Sequence, residues 1–116
     1  MSTRKLRFTW DSRGSAVVVR APPPNDVLAD YLSEELQPGS GAAERLLELI
    51  LQVRSGHLGG WEVPGDCWSV ELTKVRATVR TEDAIPGRTL HLPVEDFEEA
   101  VRAWQDFVRL PRASAS

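Results

Sequence analysis

Over residues 4–11, RKLRFTWD, the apolar Leu6, Phe8 and Trp10 alternate with Arg7, Thr9 and Asp11. That is the period-two pattern of a strand with one buried face. SRG then permits a reversal and SAVVVR follows as a β-branched run, so residues 4–20 predict an N-terminal hairpin. The prolines of APPP have no N–H for a ladder and predict an extended connector. The period then lengthens. NDVLADYLSEEL sets Val27, Leu28, Tyr31, Leu32 and Glu35 or Leu36 at helical spacing, with Asn25 as N-cap and Asp26 in the first turn. QPGSG breaks this first helix, and a second is predicted from 41 to 54. Its apolar positions 43, 46, 47, 49, 50, 51 and 53 make a face wide enough to be largely covered by neighbours.

SGHLGG supplies glycines suited to a helix C-cap, after which the alternation returns. In CWSVELTKVRATVR, Trp68, Val70 and Leu72 share one side, as do Val75, Ala77 and Val79. A two-residue turn at Thr73-Lys74 sets Leu72 opposite Val75 and Glu71 opposite Arg76, with apolar residues on one face and opposite charges paired on the other. TEDAIPGR reads as a loop and TLHL as one further short strand. In LPVEDFEEAVRAWQDFVRL, Pro93 suits the first helical turn, Glu95 and Asp96 the positive end of the macrodipole and Arg109 the negative end. Phe97, Ala100, Val101, Trp104 and Val108 form its buried stripe, with Phe107 at the edge. Together these elements predict an α+β fold. An antiparallel sheet of about 4–5 strands, built from the N-terminal and central hairpins, is packed by three helices in the order ββααββ(β)α. Residues 1–110 form one domain and 111–116, PRASAS, a disordered tail.

Composition narrows the function classes. The 116-residue chain is 41% hydrophobic and 27% charged, enough to fold as one domain that buries roughly 65% of its unfolded surface. Its 17 acids outnumber 14 bases and no run of Lys or Arg forms a local field, which disfavours nucleic acid as a partner. Twelve of the bases are arginine, in keeping with a GC-rich bacterial genome. One cysteine excludes an internal disulfide and fits a reducing compartment. With no apolar leader and no membrane-length stretch, the chain reads as cytoplasmic.

Catalytic signatures are sparse. His57 and His91 stand in separate contexts, and one cysteine builds no zinc motif, so no metal or cofactor is expected. Cys67 beside Trp68 in a strand pattern reads as a packing residue; a Cys67–His91 pair is the one enzymatic alternative, and the assignment is no catalytic residue. PGSG and GHLGG lack the spacing and lysine of a phosphate loop, and EDFEE has the form of a solvated helix face. Trp10, Trp68 and Trp104 lie on apolar faces and read as core. Trp61, among glycines and acids, reads as a partly exposed binding anchor, with Tyr31 a second aromatic candidate.

The hairpin RFTWDSRGSAVVVR, the acidic helix ending YLSEEL, the GGWEVPGDCWSVEL…VRATVR hairpin and the closing LPVEDFEEAVRAWQDFV resemble, in this order, the YacL-like family of small bacterial proteins. The likeness covers nearly the whole chain and is most specific at the last helix and around Trp61; the triple proline and the arginine-rich run 75–80 depart from it. Proteins similar to that family also occur as immunity proteins beside toxins of contact-dependent inhibition and other polymorphic toxin systems. The resemblance implies an α+β fold, no enzymatic role and a cytoplasmic place of action. On it rests the expectation of an immunity protein, monomeric or weakly dimeric, whose partner is a toxin C-terminal domain, in the first instance a nuclease. Physical support comes from acids at Asp26, Asp30, Glu34 and Glu35 on the first helix and at Glu95, Asp96, Glu98 and Glu99 on the last. Such a surface steers association with the basic groove of a nuclease. Tyr31, Glu34, Glu35, Trp61, Glu62 and Asp66 are the candidate contact residues. The alternative is an orphan housekeeping or regulatory domain that binds a host protein and has no toxin.

Overall fold

The computed structural model describes residues 5–81 and 87–110. Residue 4 of the first strand, the middle of the loop after Thr81 and the 111–116 tail lie outside them. The order is β1 (Arg7–Trp10), β2 (Val17–Arg20), α1 (Asp26–Glu35), α2 (Ala42–Arg54), β3 (Trp61–Pro64), β4 (Ser69–Leu72), β5 (Arg76–Thr81), β6 (Arg88–Pro93) and α3 (Val94–Arg109). This is an α+β fold in which β3-β4-β5-β6 form an antiparallel meander and β1-β2 a separate two-stranded sheet.

The N-terminal hairpin stays apart from the main sheet because a helix occupies its inner edge. The Val19 N–H donates to Ser33 Oγ at 2.8 Å, and that hydroxyl lies 3.2 Å from the Val19 carbonyl and 2.9 Å from the Ala29 carbonyl. A serine on α1 thus serves the main-chain groups that another strand would pair with. Val17 and Val19 are buried on the inner face, while Phe8 and Trp10 each set their rings 5.7 Å from Phe107 of α3. Between β1 and β2, the Asp11 carboxylate accepts the N–H groups of Ser15 and Ala16 at 2.9 and 3.3 Å. Those bonds, the Ser15 main-chain bond foremost, hold its pKa below the ordinary value. The triple proline turns rather than extends: the Asn25 N–H closes on the Pro22 carbonyl at 3.0 Å, across a cis Pro23-Pro24 peptide. Asn25 takes the expected N-cap position, its carbonyl accepting the Ala29 N–H at 2.9 Å, although its backbone is helical and its side chain makes no capping bond.

α1 and α3 lie on the inner face of the meander, where Val70, Leu72, Ala77, Val79, Leu90 and Leu92 are buried. α2 packs on α3 and buries Ala43, Leu46, Ile50 and Val53. It is not covered all round: Leu51, expected on the apolar face, is 59% exposed. α3 follows the expected stripe, with Phe97, Ala100, Val101 and Trp104 buried and Phe107 and Val108 half-buried.

Glu98 joins α2 to α3, pairing with Arg54 through one carboxylate oxygen and with Arg102 at 2.8 Å through the other. Burial pushes its pKa up, and the two guanidiniums outweigh burial, so it ends below its ordinary value of 4.5. A lowered carboxylate pKa stabilises the fold above the unfolded-state value, and the contribution disappears as pH falls through the folded value. Glu98→Gln should therefore be less stable than the parent at about pH 7, and the difference should be smaller at about pH 3. Urea unfolding at both pH values measures this; an equal difference at both would show that the charge contributes nothing.

The central hairpin departs from the predicted register. Leu72 pairs with Ala77 and Glu71 with Thr78, so each partner lies two residues further along than expected. The cause is local. Thr73 Oγ1 accepts the N–H groups of Val75 and Arg76 at 3.3 and 3.0 Å, and the Thr73 N–H donates to the Arg76 carbonyl at 2.8 Å. The turn is consequently Lys74-Val75, and Val75, expected inward, is 71% exposed. A two-residue shift preserves the period of two, so Val70, Leu72, Ala77 and Val79 still face inward.

Candidate functional site

The residues predicted to contact a partner come from two segments, the C-terminal half of α1 and the stretch around Trp61, and the fold brings these together. Trp61–Pro64, expected as a loop or strand start, is the edge strand β3, paired Trp61 to Leu72 and Val63 to Val70. The Gly65 N–H donates to the Trp68 carbonyl at 2.8 Å, which makes Asp66 and Cys67 the turn between β3 and β4. Alternation from that bonded pair directs the main-chain groups of Glu62 to the open side of the sheet. Pro64 on the same side has no N–H to offer, which discourages addition of a further strand.

The turn is fastened to α1 by two acids. Glu35 accepts the Asp66 and Cys67 N–H groups at 3.4 and 3.0 Å, and Glu34 accepts the Trp68 indole N–H at 2.7 Å. Gly65 is required here because a Cβ would overlap the Glu35 carboxylate and the Trp68 carbonyl. Glu34, which is exposed, and Glu35, which is half-buried, therefore both anchor the hairpin to α1. Tyr31 is a core residue, only 5% exposed, with its ring 6.2 Å from Trp68 and 5.9 Å from Phe97. Burial, with the Glu35 charge adding to it, raises its phenol pKa well above the usual value, so it stays neutral. Asp26 and Asp30 are also engaged, at 3.2 and 2.7 Å from Arg88, whose guanidinium lies 5.8 Å from the Trp68 ring centre. The hydrogen bond to Asp30 is the first cause of the raised Arg88 pKa.

Trp61, Glu62 and Asp66 remain on the surface. Trp61 is 47% exposed and lies on the same face of β3 as Val63. Glu62 stands opposite Glu71 on the other face, and Arg80 reaches Glu62 at 3.4 Å. Sequence reasoning missed Glu71 because it assigned that residue to Arg76; two like charges directly opposite each other are unfavourable in isolation. Also missed was a cavity of about 260 Å³ between α1, α2 and β3, into which Leu46, Val63 and Trp68 face. No periodicity announces it, because its walls are far apart in the chain.

Cys67 is exposed at the hairpin turn, contrary to the packing role expected of it. His91 lies on β6, its Nδ1 3.0 Å from Thr78 Oγ1. β4 and β6 stand two strands apart, ~10 Å across the sheet, so the structure does not bring Cys67 and His91 together. Among the described residues no group of three His, Cys, Asp or Glu could hold a metal, and no helix is long and apolar enough to cross a membrane.

Comparison with known proteins gives similarity to a UPF0231 protein of Shewanella baltica, 25% identical over 99 residues, covering 72% of this chain and 80% of the relative. Its relatives are UPF0231 proteins. Others from Shewanella putrefaciens and Shewanella oneidensis are each 26% identical over 100 residues, covering 73% of this chain and 81% of theirs. These are YacL-like proteins, and the similarity supports the resemblance read from the sequence. No family model matches the chain, and no solved structure matches it. The names of the UPF0231 relatives state no partner and no activity.

Proposed function

We propose that this chain is a non-enzymatic protein-binding domain whose contact surface is the β3–β4 hairpin, and that it serves as a cytoplasmic immunity protein for a toxin, in the first instance a nuclease. The observation that carries the reading is Trp61, a large aromatic left 47% exposed on an edge strand. Aromatic residues held on a rigid element and ringed by charge are the usual energetic centres of protein interfaces. Here the charge is acidic: Asp66 lies in the turn of the same hairpin, and Glu62 and Glu71 lie on the opposite face of its strands from Trp61, all three exposed. A nuclease must hold a polyanion in a basic groove, and an acidic hairpin is steered to such a groove and can cover it without imitating a nucleic acid. Glu34 and Glu35 support this surface from behind by fixing the hairpin turn.

Co-expression with the polymorphic-toxin C-terminal domain encoded beside the gene tests the reading. The parent protein should rescue growth. Trp61→Ala should weaken binding by about 30-fold or more with an unchanged melting temperature. Glu62→Lys with Glu71→Lys should slow association and reduce its dependence on salt. Absence of a toxin neighbour, or no rescue by the parent, overturns the immunity role and leaves the alternative of a domain that binds a host protein. Full affinity in both variants overturns the hairpin as the contact surface.

A further inference from the structure

The cavity beside β3 has the composition of a small-molecule site, and its chemistry specifies one class of ligand. Its volume of about 260 Å³ corresponds to roughly nine waters of liquid volume, room for on the order of ten non-hydrogen atoms. Leu46, Leu49, Val63 and the ring of Trp68 make its walls apolar. Two charged residues border it. Glu35 is engaged, its two oxygens accepting the N–H groups of Asp66 and Cys67. Arg45 is not comparably engaged: among the described residues no carboxylate lies within ion-pair distance, and its guanidinium makes one 3.4 Å contact, to the Ser40 carbonyl.

We infer that this cavity binds a small monocarboxylate with an aromatic or branched apolar body, its carboxylate on Arg45 and its body against Trp68. The assignment of charge follows from the two border residues. A guanidinium offers paired donors matched to a carboxylate, whereas the Glu35 charge beside the same opening repels an anion placed at its end and so orients the ligand. Arg45 stands in the first turn of α2, where the helix macrodipole adds to its positive potential. The body of the ligand gains from leaving water for the Leu46, Val63 and Trp68 surfaces, and the half-open shape of the cavity limits it to fragment size. The site is independent of the protein-binding reading, which rests on Glu62 and Glu71 on the opposite face of β3 and β4 and on Trp61.

Phenylacetate has ten non-hydrogen atoms, and phenylacetamide has the same shape without the charge. Titrating each into the full chain, followed by backbone amide and indole NMR signals, tests the inference. Phenylacetate should bind saturably with a dissociation constant on the order of 1 mM, and the amide at least about ten-fold more weakly. The shifts should centre on Leu46, Val63 and Trp68. Arg45→Gln should bring phenylacetate to the level of the amide, and Leu49→Trp should block both ligands, with unchanged far-ultraviolet circular dichroism in each variant. Equal binding of acid and amide, or retention of the preference in Arg45→Gln, overturns the role of Arg45. No saturable shift at these residues up to about 10 mM phenylacetate overturns the site.

Discussion

Phe97→Ala should lower the free energy of unfolding by about 3–5 kcal/mol, a large part of the ~5–15 kcal/mol typical of a whole domain. Phe97 is fully buried on α3, and its ring lies 5.9 Å from that of Tyr31 at a tilt of 48°, while Tyr31 in turn meets Trp68 edge-on at 6.2 Å. This aromatic chain connects α3, α1 and the start of β4, so truncating its first member opens a cavity that no single side chain can refill. The urea midpoint should fall with little change in slope, as expected when a contact is lost and the unfolded state is unaltered. Leu51→Ala on exposed α2 surface is the control and should cost less than about 0.5 kcal/mol. A loss from Phe97→Ala below about 1 kcal/mol would mean that the three elements do not share this core.

The second large effect concerns Glu35. Glu35→Lys should cost about 2–3 kcal/mol, because two main-chain N–H groups lose a charged acceptor together. Glu35→Gln keeps one acceptor oxygen and should cost less. The comparison with Glu62→Lys separates anchoring from contact. Glu35→Lys should act mainly on stability, and Glu62→Lys mainly on association with a basic partner. If Glu35→Lys unfolds at the parent's urea concentration, the hairpin turn does not depend on α1.

Much of this architecture was legible as periodicity. Alternation in RFTW and SVEL and helical spacing from Val94 onward are read by the same burial that forms the elements, so strands and helices fell where expected. β3 was less legible because Trp61–Pro64 has two exposed residues on its outer face, one of them a proline, and only four positions in all. The central turn was displaced by one residue because the Thr73 hydroxyl competes for the Val75 and Arg76 N–H groups, a side-chain bond that no apolar pattern records. The site was harder still. Glu34 and Glu35 read as solvent-facing acids on a helix, and their partners in β3–β4 lie more than thirty residues away in the chain.

By itself the sequence determined the α+β class, the inward faces of the strands and the buried stripe of α3, since these follow from local spacing and the removal of apolar surface from water. Tertiary structure alone decided which acids fasten α1 to the sheet. Glu34, Glu35, Asp26 and Asp30 carry the same charge as Glu62 and Glu71, but only these four are met by β6 and the hairpin turn as α1 packs against them. It also decided that Cys67 faces solvent and that Arg45 stands beside a cavity. Periodicity reports which side of an element is buried; what an exposed or half-exposed side chain meets depends on elements distant in sequence, and only their packing sets it.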